Sequence, residues 1–330
     1  MSGRVLATEI VFPSFNPERK VFAEAGIEMI ATGAGSTGEI LDAAEKTDVD
    51  AILTATHISI SEEVFEQIEG LQVVSSYGIG VDHIDLDSAT KYGVPVTNVP
   101  DYSIEEVSSH AISLLLNCAR SVSQYDKQVG DGGWDWETQR PLRRLRGQTL
   151  GVVAFGKIPR RLVEKLDGFS FDVVSYDPDV SESKMAEYGV EKVCFDELLS
   201  RSDLITSHVP LNEESYHMFD IDAFKTMKDD AIFVNTSRGQ VIDESALYKA
   251  LEEDEIACAG VDVMENEPPD GSPLVDQQNI IITPHAAWYS EQSMEELQRK
   301  AAEEIVKVLQ GEAPRYLVNT ELTKDTTVDV

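Results

Sequence analysis

The chain has 330 residues, 42% of them hydrophobic, enough for two globular domains with separate cores. Its 60 acidic residues against 27 basic ones give a net charge of −33, a surface that repels nucleic acid. No apolar run approaches the roughly 20 residues of a membrane span, and the opening MSGRVLATEIVFPSF lacks the order of a signal peptide, so a cytoplasmic protein is expected.

Apolar β-branched runs punctuate the whole chain: RVLATEIVF, AILTAT, LQVVSS and VPVTNV, then TLGVVAF, FDVVSYD, DLITSHV, AIFVNTS, ACAGVDV and NIIITPH. Helical patterns separate most of them, the signature of βαβ units in open parallel sheets covered on both faces. There are too many strands for one ordinary sheet, so the predicted fold class is α/β with two doubly wound parallel sheets. The first occupies about residues 3–98. A long helix is predicted from Ser103 through EEVSSHAISLLLNCARSVSQYDKQV, with Glu105 and Glu106 in its first turn. Residues 130–147, with two Trp and four Arg, form an irregular connection expected to grip a partner subunit, with a flexible surface loop as the alternative. The second sheet runs from Gln148 to about His285. A final helix, SMEELQRKAAEEIVKVL, is expected to return to the first domain.

The acid is spread over amphipathic helices such as EEVFEQIEG rather than gathered in a tail. That pattern fits a high-salt cytoplasm, where counterions screen self-repulsion. Cys118, Cys194 and Cys258 form no Cys-x-x-Cys pair and read as buried thiols. No His, Cys and carboxylate set has metal-ligand spacing, so no metal is expected.

The segment TLGVVAFGKIPRRLVEKL is a strand, a tight turn and a helix. A dinucleotide-binding turn usually reads G-x-G-x-x-G; here the three positions are Ala154, Gly156 and Pro159. Gly156 stands where backbone must approach pyrophosphate most closely, and Lys157 and Ile158 can offer N–H groups at the helix start. Asp177 follows at the end of the next strand. Its carboxylate suits adenosine ribose hydroxyls and repels a 2′-phosphate, favouring NAD over NADP. It also suits a turn before Pro178.

Arg238, Glu267 and His285 follow three successive strands, in VNTSRGQ, AGVDVMENEP and ITPHAAWYS. A guanidinium can grip and polarise a 2-oxo acid. An imidazole can protonate the carbonyl oxygen, and a carboxylate can fix the imidazole's tautomer and raise its pKa. This set suits reversible reduction of a 2-oxo acid by hydride. An NAD(H)-responsive, non-enzymatic scaffold is the competing class, motivated by the altered Gly-rich turn. The remaining histidines, His57, His83, His110 and His217, are read as packing or surface residues.

Over nearly all of residues 45–315 the chain resembles the D-isomer-specific 2-hydroxyacid dehydrogenases. The resemblance rests on GIGVDHIDLDSATKYGVPVTNVP, VNTSRGQVIDESAL, AGVDVMENEPP and ITPHAAWYSEQS. The last is most similar to the C-terminal-binding-protein branch, which holds dehydrogenase-like co-repressors and prokaryotic dehydrogenases. The resemblance implies that Arg238 binds substrate, His285 is the acid/base and Glu267 its partner. It implies that Gly78, Ile79 and Gly80 present N–H groups to the substrate carboxylate. Thr236 and Asp262 would lie against the nicotinamide, with Val107 nearby, while His208, Val209 and Pro210 would line the adenosine and ribose side. Trp288 would border the substrate pocket and favour an apolar or thioether side chain, while the sequence equally suits glyoxylate or hydroxypyruvate. Co-repressor relatives carry an arginine where this chain has Ser76, so a second cationic contact is missing. The resemblance further implies a substrate domain of residues 1–101 plus 290–330, an NAD-binding domain of residues 102–289, and a closing cleft between them. A homodimer through the cofactor domain and a D (R) product complete what it implies.

Overall fold

The computed structural model describes residues 3–9, 12–138 and 141–324. The chain divides into two compact units, one within residues 1–102 and 290–330 and the other over residues 103–289.

The first unit holds five parallel strands: β1 (Arg4–Ala7), β2 (Glu28–Ala31), β3 (Ala51–Ala55), β4 (Val73–Tyr77) and β5 (Val96–Thr97). Their spatial order is β2-β1-β3-β4-β5. Every residue of β3 and β4 is buried, as a parallel sheet covered on both faces requires. One face packs on a core that includes Ile52, Val64, Val74 and Val96. The helix Glu291–Leu309 joins this unit, with the Ser75 hydroxyl on β4 donating to the Ala301 carbonyl at 3.1 Å. That helix starts at a capping box in which Ser290 and Ser293 satisfy each other's backbone N–H.

The second unit holds seven parallel strands: β6 (Thr149–Val153), β7 (Asp172–Tyr176), β8 (Glu191–Lys192), β9 (Leu204–Ser207), β10 (Ile232–Asn235), β11 (Cys258–Val261) and β12 (Ile280–Ile282). Their order, β12-β11-β10-β9-β6-β7-β8, reverses direction between β9 and β6. A crevice opens at the carboxyl ends of the strands at such a reversal. Alternate strand residues feed two cores, Ile205, Phe233 and Ala259 on one face and Leu204, Val234 and Cys258 on the other.

Four sequence expectations need correction. β2 and β8 lack apolar runs because they are edge strands with largely exposed or half-exposed side chains. The long helix after Ser103 is two helices, Ile104–Arg120 and Val122–Gly130, because Ser121 between them takes a left-handed φ of 49°. Among the described residues of the first apolar run, Arg4–Ala7 form the strand and Thr8 and Glu9 lie outside it. Cys118 and Cys258 are buried, but Cys194 is exposed. Among the described residues no helix is long and apolar enough to cross a membrane, and no group of three or more His, Cys, Asp or Glu side chains is placed to hold a metal ion.

Candidate active site

The carboxyl ends of β10, β11 and β12 deliver the chemically versatile side chains of the second unit. β10 ends at Asn235, and the turn to Arg238 is pinned by that asparagine. Its side-chain oxygen accepts from the Ser237 N–H and hydroxyl, and its amide donates to the Arg238 carbonyl at 2.8 Å. Gly239 then passes so close to the next loop that an added Cβ would lie 2.0 Å from the Met264 carbonyl atoms. No other residue type fits, which forces the Arg238 turn against the loop after β11. Arg238 Nη1 donates to the Ser237 carbonyl at 2.7 Å.

Glu267 and His285 meet directly, Glu267 Oε2 lying 2.7 Å from His285 Nδ1. The other carboxylate oxygen accepts the Met264 N–H at 3.0 Å, so the acid is fixed at both ends. Burial raises the Glu267 pKa, but the bond to His285, that residue's charge, the Met264 N–H and the charge of Arg238 together outweigh it. The net result lies below the ordinary carboxylate value. Glu267 is therefore an anion at neutral pH, and His285 presents Nε2 as its outward nitrogen. His285 is 43% exposed, open to an incoming reactant.

The loop carrying His285 is held by Asp262. The His285 N–H donates to the Asp262 carbonyl at 2.8 Å. The buried Asp262 carboxylate accepts from the N–H groups of Ala286 and Ala287 and from the Thr283 hydroxyl at 2.6 Å. These bonds hold His285 at φ 51°, a left-handed conformation that costs a non-glycine residue about 1–2 kcal/mol. His110 extends the network, its Nε2 lying 2.9 Å from the Thr283 hydroxyl and 3.5 Å from Asp262. Asn235, Gly239, Thr283 and His110 were not among the site residues expected from sequence. Only the glycine directly after Arg238 carried a readable signal. Trp288 is half-buried and packs edge-on against Tyr289 at 5.7 Å between ring centroids.

The turn after β6 fits a dinucleotide. Ala154 stands at the first glycine position and adopts the φ of 68° that a glycine would supply. Gly156 is exposed with open space where a Cβ would project, leaving room for phosphate. It caps the helix Lys157–Leu166 with no side chain on the first-turn N–H groups, so those of Lys157 and Ile158 remain for an anion. Pro159 is buried and removes one N–H of that turn. Asp177 serves its own turn through Oδ1, which accepts from Asp179 and Val180. Its Oδ2 accepts the Phe155 N–H at 2.7 Å, tying the acid to the Gly156 loop, and further lone pairs remain for hydroxyl donors. Arg161 pairs with Glu105 and Glu164, and Arg160 lies over the Phe155 and Tyr188 rings.

At the carboxyl ends of β9 and β10 the Ser207 and Thr236 hydroxyl oxygens are buried without a hydrogen-bond partner among the described residues. Unsatisfied hydroxyls at a sheet's carboxyl edge suit a polar ligand such as a carboxamide. His208, after β9, contacts the Thr206 hydroxyl through Nε2 at 3.0 Å, and burial pushes its pKa down to about 3, so it is neutral. Val209 packs on the core and Pro210 is exposed, its carbonyl accepting from Ser215 at 2.7 Å. Val107 is buried on the helix Ile104–Arg120.

In the first unit Gly78, Ile79 and Gly80 follow β4. Val99 N–H donates to the Gly78 carbonyl at 2.9 Å, and Asn98 donates to the Ile79 carbonyl at 2.7 Å. The N–H groups of Ile79 and Gly80 have no hydrogen-bond partner among the described residues.

Residues 112–287 match the family model described as D-isomer specific 2-hydroxyacid dehydrogenase, NAD binding domain. A glyoxylate reductase of Korarchaeum cryptofilum is 40% identical over 281 residues, 84% of this chain and 85% of that protein. The chain belongs to the D-isomer-specific 2-hydroxyacid dehydrogenases. Solved structures agree. The TT0316 protein of Thermus thermophilus superposes with a TM-score of 0.85 at 30% identity, over 96% of this chain and 99% of that one. A D-lactate dehydrogenase of Aquifex aeolicus, complexed with NAD and lactic acid, superposes with a TM-score of 0.83 at 26% identity, over 97% and 98%. As a dehydrogenase of this family the chain is an NAD-linked oxidoreductase acting on the CH–OH group of small hydroxy acids.

Proposed function

We propose that this dehydrogenase interconverts a small 2-oxo acid and its D-2-hydroxy acid, using Arg238, Glu267 and His285. The observation that carries this reading is the 2.7 Å contact of His285 Nδ1 with an anionic Glu267 beside the charge of Arg238. NAD, when bound, supplies or accepts the hydride. Arg238 binds the carboxylate and polarises the carbonyl, a planar fork suited to two oxygens. The N–H groups of Ile79 and Gly80 receive the substrate carboxylate. His285 Nε2 gives its proton to the carbonyl oxygen during reduction and takes it back during oxidation, while Glu267 stabilises the imidazolium. Gly156, Lys157 and Ile158 hold pyrophosphate, Asp177 the ribose, and His208, Val209 and Pro210 the adenosine side. Thr236 takes the carboxamide beside Val107 and the Asp262 loop. On this reading residues 1–101 and 290–330 form the substrate domain and residues 102–289 the NAD domain.

The glyoxylate reductase relative supports a glyoxylate-sized substrate. Trp288 is assigned to the wall that limits the side chain, with an apolar or thioether group as the larger alternative, in keeping with the C-terminal-binding-protein-like branch. A homodimer through the second unit is supported by the exposed apolar side chains of Val122, Val129, Trp134 and Trp136. The charge of −33 supports a high-salt cytoplasm.

The test is NADH oxidation in molar potassium chloride against glyoxylate, hydroxypyruvate, pyruvate, phenylpyruvate and 4-methylthio-2-oxobutanoate, with NADPH in parallel. Turnover with NADH that fades as the side chain outgrows the Trp288 wall supports the assignment. Tight NADH binding with no turnover on any 2-oxo acid would instead favour a cofactor-sensing scaffold.

A further inference from the structure

Glu18 is a fully buried carboxylate in the first turn of the helix Asn16–Ala25. Neutral donors hold it. The Tyr77 hydroxyl donates to Oε1 at 2.5 Å, and Gln298 Nε2 reaches both oxygens at 2.8 and 3.0 Å. Gln298 also donates to the Ser14 carbonyl, so the cluster joins the chain before Asn16, the end of β4 and the helix Glu291–Leu309. Burial raises the Glu18 pKa, partly offset by the bonds from Tyr77 and Gln298. Burial, together with the charge and hydrogen bond of Glu18, holds Tyr77 well above the ordinary phenol value. Tyr77 therefore keeps its proton and donates throughout the neutral range. A buried acid without a cationic hydrogen-bond partner is a costly way to fill space that an apolar side chain would fill better.

The position of Tyr77 gives that expense a use. It is the last residue of β4, and Gly78 follows at once. The loop beyond is tightly set. Gly78 has a φ of 159° and lies so close to Thr56 that a Cβ would meet its Cγ2 at 2.9 Å. The carbonyls of Gly78 and Ile79 are tied to Val99 and Asn98, while the N–H groups of Ile79 and Gly80 stay unused among the described residues. Phe12 packs edge-on against the Tyr77 ring at 5.1 Å between centroids, so ring and hydroxyl are both held.

We propose that Glu18 and Gln298 are positioning residues for the Gly78–Gly80 loop, acting through the hydroxyl of Tyr77. None of the three touches substrate. They fix the end of β4 so that two N–H groups emerge at a set angle and spacing. The proposal rests on the reading that this loop receives the substrate carboxylate.

The test uses the full-length enzyme with NADH and glyoxylate. Tyr77→Phe removes one hydroxyl and leaves the ring on Phe12. It is expected to raise KM for glyoxylate about tenfold, because small misplacements of binding groups weaken binding steeply. Its kcat and NADH affinity should stay within about twofold of wild type. Glu18→Ala should behave likewise, and Glu18→Gln, which keeps a carbonyl acceptor, should recover most of the loss. A Tyr77→Phe enzyme with unchanged KM overturns the proposal, even if its melting temperature falls, since that pattern marks a merely structural bond. Arg238→Gln separates the two levels. If it cripples turnover while Tyr77→Phe does not raise KM, only the positioning role fails. If Arg238→Gln is also silent, the site assignment fails and takes the positioning role with it.

Discussion

His208 shows how one side chain can be needed for shape and still tax the fold. Burial lowers its pKa to about 3 from an ordinary 6.5, so the folded protein holds it neutral while the unfolded chain takes up a proton below 6.5. Its contribution is therefore fully present above pH 6.5 and is lost progressively as pH falls towards 3. His208→Gln should flatten that acid slope. Melting curves between pH 7 and pH 4 should fall less steeply for the variant, and parallel slopes would refute the assignment. Asp262 makes a different point. Its identity in AGVDV is plain, but sequence does not show which donors occupy its oxygens. In the fold they are taken by Thr283, Ala286 and Ala287, so the carboxylate itself organises the His285 loop. Asp177 makes the turn read from its position and also accepts the Phe155 N–H of the Gly156 loop, a bond the sequence does not show.

At the scale of elements, the strands that carry the site were legible because each is an apolar run followed by a polar residue, fully buried in β10 and β11 and half-buried in β12. Glu267 and His285 come together because β11 and β12 are parallel neighbours, so residues just past their ends share one edge. β2 and β8 were not legible, since an edge strand needs no apolar run. The break at Ser121 was hidden because helical periodicity continues on both sides of it. The approach of the β10 and β11 loops hinges on Gly239. Gly239→Ala would place a methyl group inside the Met264 carbonyl and should cost about 1–3 kcal/mol. It should also raise KM for the 2-oxo acid by moving Arg238. Thermal unfolding and steady-state kinetics check both. An alanine variant of wild-type stability and KM would mean the two loops do not constrain each other.

For the whole molecule, charge dominates. Ion pairs such as Arg201 with Glu191 and Glu197 are exposed and each worth little, so they do not offset a net charge of −33. Self-repulsion is screened within about 3 Å at molar salt but over about 10 Å at 0.1 M. The melting temperature should therefore rise by several degrees between 0.1 M and molar potassium chloride. An unchanged value would contradict the high-salt assignment. If Trp134 and Trp136, 89% and 77% exposed in the single chain, are covered by a second copy, their fluorescence should shift on dilution to the monomer. No shift, with a monomer at all concentrations in gel filtration, would remove the dimer.

The central claim is that His285, held by Glu267, moves the proton. It is tested most directly by comparing wild type and His285→Ala for glyoxylate reduction and NADH binding in the same molar-salt buffer. Turnover should fall by roughly 10²–10⁴ with NADH affinity unchanged. A variant that keeps near-normal turnover would contradict the account.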